Sequence, residues 1–151
     1  MVFSIHEYFF DVDYTIMSMD GKIRPHTHEV FSKFISLGHT IFIWSGVGLR
    51  HKDIDRLELT EYVSGIFVKP VTEYETGIQR FQVNPRPDFV IDDHPEIVEF
   101  FGGYHVSPYY FKNDLDQEIL QLFESTVKYF ETGLSDSRKL FPNPNPNNHE
   151  N

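Results

Sequence analysis

Apolar and polar positions along the chain fall into short runs of two kinds. Ile5 to Phe10, Thr40 to Trp44, Val63 to Val68 and Phe89 to Ile91 are near-continuous apolar or aromatic stretches, too short for independent helices. They read as buried strands of the sort found in parallel sheets. Between them lie segments with helical spacing. Pro25 and Thr27 open a helix whose apolar positions Val30, Phe31, Phe34 and Ile35 share a face, and Gly38 closes it. A charged helix is expected from about Leu49 to Leu59, and a short one around Tyr74 to Phe81. Pro95 at a first helical position opens Glu96 to Phe101, which Gly102-Gly103 ends. Tyr104 to Ser107 reads as a fifth, edge strand. Asn113 or Asp114 would cap a last helix to about Thr132, with Leu115, Ile119, Leu122, Val127 and Phe130 on one stripe. From Thr15 to Ile23, an Asp20-Gly21 pair of the type that turns a hairpin suggests a small flap over the end of the first strand.

Strands alternating with helices give an α/β fold: a Rossmann-like three-layer sandwich with a central parallel sheet, a small flap hairpin and no cap domain. One domain is expected over residues 1–133. Residues 134–151 carry the Pro-Asn repeats of Pro142 to Asn147 and little to bury, and read as a disordered tail.

Composition narrows the chemistry. The chain has 151 residues and a formal charge of -10, which weighs against a broad basic face for a polynucleotide and leaves an oligonucleotide end open as a ligand. No Cys is present, so thiol nucleophiles and thiolate metal sites are excluded, and a cytoplasmic setting fits. No apolar run approaches the roughly 20 residues of a membrane span, and the first residues lack the plan of a signal peptide. Any metal must be held by oxygen or imidazole ligands.

Polar residues follow directly after four of the apolar runs. Asp11 and Asp13 follow the first, Ser45 and Gly46 the second, Lys69 the third, and Asp92 and Asp93 the fourth. In an open parallel sheet these strand ends share one carboxyl edge, where such folds bind ligands. Carboxylates gathered there repel one another unless a cation lies among them, and an all-oxygen set suits Mg²⁺. Lys69, the Ser45 hydroxyl and the Gly46 N–H would hold phosphate oxygens beside it. Taken singly, each feature has a plainer reading: a solvated turn for Asp-x-Asp, a helix cap for Ser45 or Asp92-Asp93, a surface charge for Lys69. Their ordered recurrence at strand ends favours the site.

Asp11-Val12-Asp13-Tyr14-Thr15, Ser45 after Ile41 to Trp44, Lys69 after Ile66 to Val68, and Asp92-Asp93 after Phe89 to Ile91 resemble the four ordered motifs of the haloacid dehalogenase superfamily. The likeness covers Ile5 to Ser107. Tyr14, where many members carry Gly, resembles the magnesium-dependent phosphatase subgroup. The resemblance implies a Mg²⁺-dependent phosphomonoester hydrolase in which Asp11 is the nucleophile and Asp13 the general acid and base, passing through an aspartyl-phosphate. Asp11, the Asp13 backbone carbonyl, and Asp92 or Asp93 would hold Mg²⁺, with Asp93 the direct ligand of that pair. The substrate would be a phosphorylated molecule of open class. A homodimer in which one subunit shields the other's site is compatible with a capless chain. Two other readings use the same residues: a receiver-like phosphate switch, whose motifs come in a different chain order, and a catalytically inactive phosphate-binding module of the same fold. His94 beside the acidic pair is expected to be a solvent-exposed loop residue.

Overall fold

The computed structural model describes residues 6–135 and 137–144. Its centre is a sheet of β1 (Glu7–Phe10), β2 (Thr40–Ser45), β3 (Val63–Val68), β4 (Phe89–Asp92), β5 (Gly103–His105) and β6 (Leu140–Phe141), in the spatial order β3-β2-β1-β4-β5-β6. All neighbours run parallel except β5 and β6, which are antiparallel. The helices are α1 (Thr27–Ser36), α2 (His51–Arg56), α3 (Tyr74–Arg80), α4 (Pro95–Phe101) and α5 (Glu118–Thr132). This is the expected α/β sandwich, and among the described residues no helix is long and apolar enough to cross a membrane.

Three layers follow from the two-residue period of a strand, which sends successive side chains to opposite faces. Tyr8, Phe10, Ile41, Ile43, Phe89 and Ile91 point to one face, where Phe31 and Phe34 of α1 and Ile119 and Leu122 of α5 cover them. Phe9, Phe42, Trp44 and Val90 point to the other, against Ile78 of α3 and Ile97, Val98 and Phe101 of α4. The strands read as continuous apolar runs because both faces are dry. Gly103 is required where β5 meets β4: its φ is 151°, and a Cβ there would overlap the Val90 backbone.

Chain order places the ligand edge. β1 lies in the middle, the chain first winds outward through β2 to β3, then crosses back to β4 on the other side of β1. The crevice between oppositely wound halves opens at the carboxyl ends of β1 and β4.

Several expectations need correction. The first strand begins at Glu7, and Ile5 lies outside the described residues. The flap is held by isolated bridges, Asp13 with Met17 and Met17 with Ile23, plus a turn in which the Gly21 N–H donates to the Ser18 carbonyl. Ile35 is 40% exposed and lies off the buried face of α1. The last helix begins at Glu118, so Leu115 is on no helix and is 83% exposed. The cause is Asp116, whose carboxylate pairs with the buried Arg24 guanidinium at 2.8 and 3.1 Å and also accepts from the Glu118 N–H at 3.1 Å. β5 is no edge, because Leu140 and Phe141 add a strand beyond it and Leu140 is buried. The domain therefore continues past residue 133, and the part of the expected tail from 145 to 151 lies outside the described residues.

Candidate active site

Asp11 directly follows β1, and its N–H donates to the Ile91 carbonyl at 3.0 Å, extending the β1–β4 ladder by one step. That bond fixes the carboxylate in the crevice, where it is buried. The chain then turns sharply. The Thr15 and Ile16 N–H groups both donate to the Val12 carbonyl, at 3.2 and 3.1 Å, and Tyr14 takes a left-handed φ of 65°. A side chain is uncommon in that region, where Gly is the ordinary occupant. The turn brings the Thr15 hydroxyl back to donate to Asp11 Oδ2 at 3.1 Å, with Asp93 Oδ1 3.4 Å away.

Ser45 ends β2, and its Oγ accepts from the Val47 N–H at 3.2 Å. Gly46 leaves room for Val71, whose Cγ1 would be 2.7 Å from a Cβ at that position. Lys69 follows β3, and its N–H donates to the Ser45 carbonyl at 2.9 Å, so β2 and β3 deliver their polar ends together. The Lys69 ammonium is buried between Asp11 Oδ1 at 3.1 Å and Asp92 Oδ2 at 2.8 Å. Asp92 ends β4 with no exposure. Its Oδ1 accepts from the His94 N–H at 3.0 Å and lies 3.2 Å from His94 Nδ1.

Charge is out of balance here. Burial pushes the Asp11 carboxyl well above its ordinary range, the neighbouring Asp92 charge adds to this, and Lys69 opposes it. Asp93 is also raised, chiefly by burial. Burial works on Asp92 in the same direction, but donors from His94 and Lys69 outweigh it and leave that carboxyl below the ordinary range. The Asp92 carboxylate in turn lifts His94 to about 9, against the effect of burial. Asp92 thus uses most of the positive charge in the crevice, and Asp11 and Asp93 compete for the remainder. Donor atoms of Asp11, Asp92, Asp93 and His94 all lie within 4.8 Å of one another, close enough to hold one metal ion.

Asp11, Asp13, Ser45, Gly46 and Lys69 line a single cleft of about 300 Å³, with Tyr14, Val47 and Val71 at its walls. A second cleft of about 290 Å³, formed by Tyr74, Glu96 and Ile97, shares Lys69, Val71 and His94 with the first. Every site residue expected from the sequence therefore lies in or under one crevice. Asp13 differs in orientation: instead of meeting Asp11 it takes a bidentate pair from Arg50, with Nη1 to Oδ2 at 2.6 Å and Nη2 to Oδ1 at 3.1 Å.

Two participants had no task assigned from the sequence, Thr15 and Arg50, and a third, His94, was expected only as an exposed loop residue. Thr15 belongs to the first motif but had no assigned task. His94 has an exposed ring, as expected, yet pairs with the buried Asp92. Arg50 is the first basic residue after Ser45, which is the only signal it offers in the sequence. No protein-family model matches the chain, and neither a search of curated proteins nor one of solved structures finds a match.

Proposed function

We propose that this protein is a divalent-cation-dependent phosphomonoester hydrolase of the haloacid dehalogenase type, working through an aspartyl-phosphate on Asp11. The observation that carries this reading is the meeting of Asp11, Ser45, Lys69 and the Asp92–Asp93 pair, from four successive strand ends, in one crevice. A cytoplasmic setting belongs to the same proposal.

The donors fit a hard dication. Asp11 and Asp93 are raised carboxyls short of positive charge, and an oxygen-rich set of this kind suits Mg²⁺ better than softer metals. Asp11 and Asp93 would hold it, joined in the family pattern by the Asp13 carbonyl, while Asp92 is committed to Lys69 and His94. When bound, Mg²⁺ would offset the charge of the transferring phosphoryl group and keep Asp11 ionised.

The rest of the chemistry belongs to the chain. The Ser45 hydroxyl and Lys69 ammonium hold phosphate oxygens, which places the phosphorus in front of Asp11. An Asp11 oxygen forms a bond to phosphorus as the bond to the leaving oxygen breaks, and a proton on Asp13 passes to that oxygen. A water then attacks phosphorus, its proton goes to Asp13, and the Asp11 carboxylate departs with the electron pair. Thr15 holds Asp11 in place through its hydroxyl. The segments between the motifs are filled by the flap, α1, α2 and β3, so the cleft is open and suits a phosphate on a large or small carrier alike.

A screen of sugar phosphates, nucleotides, phosphopeptides and 3′-phosphorylated oligonucleotides with Mg²⁺, using Asp11→Asn as the blank, tests this function. Phosphate release by the wild type and none by the blank is the expected result. Inert substrates together with beryllofluoride binding would instead favour a phosphate-binding switch, and full activity in EDTA would refute the metal-assisted mechanism.

A further inference from the structure

The Arg50 guanidinium is committed to three side chains, those of Asp13, Ser45 and Asp53. Its Nε donates to Asp53 Oδ2 at 2.8 Å, a carboxylate of α2 whose other oxygen accepts from Arg56 at 3.2 Å. That contact anchors the head group and leaves its two remaining nitrogens facing Asp13 and Ser45, two of the residues that line the cleft. There, Nη1 and Nη2 grip both oxygens of Asp13, and Nη1 also donates to Ser45 Oγ at 3.2 Å. The Arg50 side chain is 13% exposed and that of Asp13 31%, and Arg50 lies behind Asp13 and Ser45, which line the cleft.

Carboxylate and phosphate offer a guanidinium the same paired oxygens, and one fork serves one of them at a time. A phosphate oxygen on Ser45 Oγ would lie within reach of Arg50 Nη1, since that nitrogen already touches the hydroxyl. A carboxylate whose two oxygens both accept from Arg50 is in no position to protonate a leaving group. Asp13 must therefore leave the fork to do its work, and the incoming phosphate is the anion best placed to replace it.

We infer that Arg50 is a positioning residue that parks Asp13 in the unliganded site and releases it by exchanging partners when a substrate phosphate occupies Ser45. This rests on the phosphatase reading and deepens it. An open site lacks a closing domain to couple substrate binding to assembly of its acid, and partner exchange on Arg50 supplies that coupling. A structural brace makes a different demand: it needs the Arg50–Asp13 pair to persist with the ligand in place.

A crystal structure of the wild-type protein with tungstate and Mg²⁺ tests the exchange directly. Tungstate on Ser45 with Arg50 nitrogens on its oxygens, and Asp13 turned away from Arg50, is the expected result. Tungstate on Ser45 with the Arg50–Asp13 pair intact overturns the inference alone. Tungstate that binds away from Ser45, or fails to bind, overturns the phosphate-site reading beneath it. Kinetics of Arg50→Met with p-nitrophenyl phosphate add a measure that a brace would not move in the same way. KM and the inhibition constant of inorganic phosphate should rise about tenfold or more, while kcat falls much less, because the guanidinium grips phosphate in the ground state as well as in the transition state. Arg50→Lys should fall between, keeping the charge without the fork. A collapse of kcat with KM and phosphate inhibition unchanged would make Arg50 a brace.

Discussion

The two ends of the central sheet handle buried polar groups in opposite ways. At the amino end, His6, His39 and Asp88 are consumed by backbone and rings. The His6 N–H donates to His39 Nδ1 at 3.1 Å, the Glu7 N–H donates to Asp88 Oδ1 at 2.8 Å, and the His6 ring stacks 4.1 Å from Phe130. Burial, helped by His6, lowers His39 to about 4, so it is neutral and its Nδ1 remains an acceptor. At the carboxyl end, Asp11, Asp92 and Asp93 share Lys69 and His94, and two of the three carboxyls are raised. One end suppresses ionisation to keep a backbone contact. The other gathers three carboxylates around one lysine and one histidine, an arrangement that costs stability unless a cation joins it.

The contrast is sharpest at Asp11. Replacing it with Asn should lower phosphate release at least about 10³-fold, because the proposed mechanism takes Asp11 as its nucleophile. The same change should leave stability without divalent cations equal or higher by about 1 kcal/mol. Breaking a buried ion pair is ordinarily destabilising by about 3–5 kcal/mol, but Lys69 keeps Asp92 and the crevice loses a repulsion. Activity assays with thermal or urea unfolding measure both halves, and a strongly destabilised variant would contradict the charge imbalance.

A dication should act at one end only. Saturating Mg²⁺ at about 100 times its dissociation constant should stabilise the wild type by about 2.7 kcal/mol, since it binds the folded state. Asp93→Asn should lose most of that gain, and His39→Gln should keep it in full. Melting curves with Mg²⁺ and with EDTA decide it.

The smallest effect belongs to the amino end. His39 takes up its proton near 6.5 when unfolded and near 4 when folded, so the unfolded state binds more protons across that window. The stability it contributes is complete above pH 6.5 and drains as pH falls toward 4, by about 2 kcal/mol between pH 7 and 5. Urea unfolding at the two pH values should show that loss in the wild type and a flatter response in His39→Gln.

Most of the fold was legible because the inner strands are buried on both faces and therefore appear as unbroken apolar runs ending in polar residues. What escaped depends on distant partners. The late start of α5 follows from the pairing of Asp116 with Arg24, 92 residues away, which overrides the apolar period through Leu115. β6 has two residues in a Pro-Asn setting, too short for alternation to register, and is recognised through its pairing with β5. The convergence of the candidate site residues was legible for the same reason as the strands that carry them. Arg50 was not, because its role depends on Asp13, 37 residues earlier, and on a loop that aims the guanidinium back over the crevice.

In the proposed mechanism Asp11 forms a bond to phosphorus. Acid quenching during turnover with Mg²⁺, followed by borohydride reduction and peptide mass spectrometry, reads that bond directly, since an aspartyl-phosphate is reduced to homoserine. Homoserine at position 11, dependent on substrate and absent with EDTA, is the expected result. Sustained phosphate release with position 11 unmodified, and Asp11→Asn as fast as the wild type, would contradict that mechanism.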